Sequence, residues 1–61
     1  MSQARDTIAV ARDMIARHGD AALPLVDQRF RDNLAAGDSE AAAFWSQVAQ
    51  ALRAMRRLSD N

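Results

Sequence analysis

The pair Gly-Asp occurs twice in this chain, at Gly19-Asp20 and Gly37-Asp38, and divides its 61 residues into near-equal thirds. Glycine after a helical run can take a positive φ and end the helix without a Cβ clash. The aspartate that follows can accept hydrogen bonds from the free N–H groups of a new helix. Gly-Asp therefore reads as stop, then start. Two such signals predict three helices, about 3–18, 21–36 and 39–58, in one all-α domain over 1–61, a small three-helix bundle. Gly19 and Gly37 are expected at positive φ, with Asp20, and Asp38 or its neighbour Ser39, capping the next helix. Residues 59–61 are expected to fray.

The apolar residues between these signals repeat at helical spacing. At 100° per residue, Ile8, Val10, Ala11, Met14 and Ile15 fall on one broad face of the first helix, with Arg5, Arg12, Asp6, Asp13 and Arg17 on the other. The second helix carries the stripe Leu23, Val26, Phe30, Leu34, with Leu25 roughly opposite and Pro24 in the first turn, where a missing N–H costs little. The third gathers Phe44, Trp45, Val48, Ala51, Leu52, Met55 and Leu58 on one side. Its acids, Asp38 and Glu40, stand at its start and Arg53, Arg56 and Arg57 near its end, the order the helix dipole favours. The core predicted from these stripes is Ile15, Phe30, Leu34, Val48, Leu52 and Met55.

The run MIARHGDAA followed by LAAGDSEAAAFWSQVAQALRAM resembles a group of short alphaproteobacterial proteins classed as a domain of unknown function. Its members share a helix ending in His-Gly, a central Ala-Gly-Asp, and a helix with a Trp followed by alternating Ala and aliphatic residues. The likeness covers about Ala11 to Leu58. It implies a helical layout and a bacterial, cytoplasmic origin, and brings no functional residues with it.

Composition narrows the function. Cysteine is absent, which removes thiolate and disulfide chemistry and fits a reducing interior. The longest apolar run, Ala41 to Trp45, is far below the ~20 residues that span a bilayer, and the first residues open no hydrophobic signal region. A cytoplasmic protein without membrane attachment is expected. Net charge is zero, which argues against a nucleic-acid partner held by phosphate neutralisation. His18 is the lone histidine; a helix-terminal imidazole that meets carbonyls and the dipole accounts for it. No set of His, Cys or carboxylate ligands has metal-site spacing. None of Ser2, Ser39, Ser46 and Ser59 has a base or a nucleophile elbow near it in sequence. No catalytic, metal or cofactor residue is therefore assigned, and an enzyme is the third and most distant reading.

The leading reading is a non-enzymatic protein-interaction module, self-associating or docking to a larger partner. The alternative is a small regulator of nucleic-acid transactions, acting through the Arg53–Arg57 end or a protein partner. A chain this short has a thin stability margin and no disulfide or metal to staple it, which leaves oligomerisation. A homodimer or obligate heteromer is expected, with Val10, Met14, Leu25 and Trp45, at the edges of the apolar stripes, as its interface.

Overall fold

The computed structural model describes residues 6–59, without the side chain of Ser59. Three α-helices lie in it: α1 (Thr7–His18), α2 (Ala22–Ala35) and α3 (Ser39–Ser59). Among the described residues there is no strand. The all-α expectation stands, but the bundle of three separately turned helices does not. Gly19–Ala21 form a single 3-10 turn that joins α1 directly to α2. Helical turns thus follow one another without an intervening loop from Thr7 to Ala35, bent at Gly19, and again from Ser39 to Ser59, so that the described residues form two helical stretches with one loop between them. The long α3 packs against both α2 and α1, while α1 and α2 barely touch each other. The result is a slab, 37 × 29 × 18 Å, rather than a closed bundle.

The second Gly-Asp behaves as the sequence predicts. Gly37 has φ +80°; its N–H donates to the Leu34 carbonyl at 3.0 Å and the Asp38 N–H donates to that of Asn33 at 2.9 Å. This paired closure satisfies two of the carbonyls that a helix end leaves open. Asp38 then caps α3, its Oδ1 accepting from the Ala41 N–H at 3.1 Å.

The first Gly-Asp does so only in the positive φ of its glycine. Gly19 has φ +57° and ψ −128°, outside the left-handed helical well, and its N–H closes α1 by donating to the Ile15 carbonyl. Asp20 caps nothing; the N-cap position of α2 is Ala21, with no side-chain cap. Pro24 supplies the reason. With Asp20 as N-cap, Pro24 would be the fourth helical residue, whose N–H makes the first intrahelical bond. Proline has none, and its ring would clash with the carbonyl four residues back. A start at Ala22 makes Pro24 the third residue, where no donor is needed.

At the other end of α1 the cap is Asp6, whose Oδ1 accepts from Ile8 N–H at 3.1 Å and Ala9 N–H at 3.2 Å. The described α1 therefore starts at Thr7, and Asp6 is a cap rather than a face residue; residues 3–5 of the expected helix lie outside the described ones, as do 60–61 of the expected tail. These caps separate three aspartates that look alike in sequence. Asp38→Ala is expected to cost about 0.5–2 kcal/mol and Asp20→Ala much less. Thermal unfolding of the two variants checks this, and equal losses would contradict the capping assignment.

Among the described residues, the buried ones are Ala11 and Met14 of α1, Ala22 and Val26 of α2, and Ala42, Val48, Ala49, Ala51 and Leu52 of α3. Five of these nine are alanine, so the helices approach closely but enclose little apolar volume. Val48 and Leu52 are buried as predicted, whereas Met55 and Phe30 are only half-buried. Ile15, at 39% exposure, and Leu34, at 52%, face solvent and leave the predicted core.

Both departures are rotations. On α1, Ala11 and Met14 turn inward, so the edge with Val10 lies toward the core and the edge with Ile8 and Ile15 turns out. On α2 the buried face centres on Ala22 and Val26, some 80° away from the direction of Leu23, Phe30 and Leu34. That turn half-buries Leu25 and sets Arg29 over the Trp45 ring, 5.2 Å from its centroid, a cation–π contact. Asp27, on the other flank of the buried face, meets Arg53 of α3 at 3.7 Å. Ala42 and Ala49 lie on that face of α3, and their small side chains let α2 come close.

Candidate protein-interaction surface

The outward rotation of α1 has a counterpart at the end of the slab where α1 leads into α2. There the 3-10 turn, the last turn of α1 and the second half of α3 enclose an open cleft of about 300 Å³. Its apolar lining comes from Ile15, Leu23, Leu52 and Met55. Asp20 stands in its wall from the 3-10 turn and Arg56 from α3. Asp20 is available because Pro24 displaced it from capping. Arg56 is the next outward position after Leu52 and Met55 on a helix whose dipole favours a cation at its end. Neither side chain makes an ion pair or hydrogen bond among the described residues.

The four residues expected at an interface are not brought together as one exposed patch. Met14 is buried in the intramolecular core, 7% exposed, and has little left to offer a partner. Val10, Leu25 and Trp45 are half-buried and pack against that core. Trp45 also stacks edge-on with Phe44, ring centroids 5.0 Å apart, so intramolecular contacts already occupy its faces. Among the described residues, the large apolar ones left exposed are Ile8, Ile15, Leu34 and Leu58. In sequence, Ile8 and Ile15 carried a signal, being seven residues apart on one edge of α1. The stripes could not say which edge would be covered.

The remaining candidates have simple places. His18 is the last residue of α1, exposed, and its imidazole makes no hydrogen bond among the described residues; Gly19 N–H performs the carbonyl closure instead. Arg53 is engaged by Asp27 and Arg56 faces the cleft, so the Arg53–Arg57 end does not present three unpaired cations on one surface. Among the described residues no group of three His, Cys, Asp or Glu side chains is placed to hold a metal ion. No described helix is long and apolar enough to cross a membrane. No protein-family model matches the chain, and neither a curated protein nor a solved structure does so.

Proposed function

We propose that this chain is a non-enzymatic helical interaction module that pairs with a second copy of itself through the cleft and the exposed edge of α1. The observation that carries this reading is the apolar lining of an open cleft, continued on α1 by solvent-facing Ile15 and Ile8. Apolar surface of this kind on so small a domain is what an association site looks like. Alanine forms most of the intramolecular core, so burying Ile15 and Met55 against another chain would add apolar area that the single chain lacks. A standard interface covers about 800 Å² of each partner, under a fifth of the 4505 Å² this chain exposes. Zero net charge adds no long-range repulsion between copies.

The test is mass by light scattering behind size exclusion, from low to high micromolar protein. The expected mass is twice 6.7 kDa, with a melting temperature that rises with concentration. Ile15→Glu, which places a charge in the apolar contact, is expected to give a folded monomer. A wild-type monomer at every concentration would overturn self-association and leave a different protein as the occupant of the cleft. The resemblance to the alphaproteobacterial group and a cytoplasmic location are part of the same proposal. A homologous member of that group that dimerises through the corresponding residues would support it.

A further inference from the structure

The charges in the cleft specify more than the presence of a partner. Asp20 and Arg56 line it from different elements, have opposite signs and lack an ion-pair partner among the described residues. A two-fold interface brings a patch against its own copy, so the patch must be complementary to itself. A surface of one sign would repel its copy; one acid and one base that line the same apolar cleft without pairing to each other meet the requirement. We infer that the cleft is half of an isologous two-fold interface, in which Asp20 of each copy pairs with Arg56 of the other.

This inference rests on the self-association proposed above and adds its geometry. Ile15, Leu23 and Met55 form the water-excluding centre, and the two reciprocal Asp20–Arg56 pairs lie at its margin. There they fix orientation and register more than they add affinity. Leu52, already 2% exposed, forms the floor. Met55 suits such a place because its unbranched thioether side chain adapts to an apposed surface.

Charge reversal tests the pairing with the full chain. Asp20→Arg alone sets two guanidinium groups against each other at both contacts of the homodimer, and Arg56→Asp alone sets two carboxylates against each other at both. At low salt each variant is expected to dimerise roughly tenfold or more weakly than wild type. Mixing the two in equal amounts gives a heterodimer in which one contact joins the two introduced side chains, again of unlike charge, and the other keeps the native Asp20–Arg56 pair. Heterodimer should then form with an affinity within about threefold of wild type, its two subunits distinguished by native mass spectrometry. The double variant Asp20→Arg/Arg56→Asp should dimerise by itself, and raising salt should narrow all the differences.

Far-UV circular dichroism of each single variant shows whether it is still helical, and rescue in the mixture requires that it is. Dimeric wild type with no heterodimer from the mixture overturns the pairing and leaves self-association standing. Recovery in the double variant without recovery in the mixture assigns Asp20 and Arg56 to one chain and overturns it equally. Monomeric wild type removes both.

Discussion

Leu52→Ala is expected to be the most destabilising of a set of single leucine truncations, and Leu34→Ala nearly neutral. Leu52 is 2% exposed and packs with Val48 and Ala49 in the centre of the molecule, whereas Leu34 is 52% exposed near the end of α2. Truncating a buried leucine removes its transfer free energy and leaves a cavity, at a cost of about 2–5 kcal/mol. A domain of this length has a total stability of roughly 3–9 kcal/mol at typical values per residue. Leu52→Ala therefore consumes much or all of that margin. Each kcal/mol lowers the Tm of so small a domain by about 4–8 °C, so a drop of at least about 8 °C is expected. Leu34→Ala should stay within about 0.5 kcal/mol, helped by alanine's higher helix propensity. Thermal melts at one fixed protein concentration make the comparison. Similar losses at the two positions would mean that the buried face of α2 lies where its leucine stripe points, and that the rotation described above is wrong.

Gly19→Ala is expected to cost about 1–3 kcal/mol, more than Gly37→Ala. Nothing lies within 4 Å of a Cβ built at either glycine, so crowding is not the source of the cost. Backbone conformation is. Gly37, at φ +80°, ends α2 in a paired closure that a non-glycine residue enters at about 1–2 kcal/mol. Gly19 combines φ +57° with ψ −128°, a mirror-image extended conformation open to glycine and strained for every L side chain. Relief of that strain would require the α1–α2 junction to re-form, which would move Asp20 and Leu23 relative to α3. Loss of dimer by Gly19→Ala beyond what its stability change explains is the accompanying expectation. Chemical denaturation of both variants checks the order; Gly37→Ala as the costlier change would contradict the backbone assignment at Gly19.

Much of the local structure was determined by the sequence alone. Both glycines at positive φ, the cap at Asp38, the span of α3 and the burial of Val48 and Leu52 follow from signals within a few residues of each position. Helix termination and capping are short-range: they depend on the φ a residue can reach and on which N–H groups a nearby oxygen can meet. Even the failure at Asp20 was local, since Pro24 forbids a helix that starts one residue earlier, and Asp6 carried the same capping chemistry as Asp38. The exposed apolar edge beside the cleft was not legible in this way. Apolar stripes on α1 and α2 span more of each helix than one neighbour can cover, so periodicity allows several rotations about each axis. The choice among them was made by α3, where Ala42 and Ala49 admit α2 closely, with the Asp27–Arg53 and Arg29–Trp45 contacts at the margins. Once α2 is set, the glycine-made junction directs α1 and turns Ile8 and Ile15 outward while Met14 goes in. Which edge of an amphipathic helix stays exposed is a property of all three helices packed together, and no single stretch of this sequence contains it.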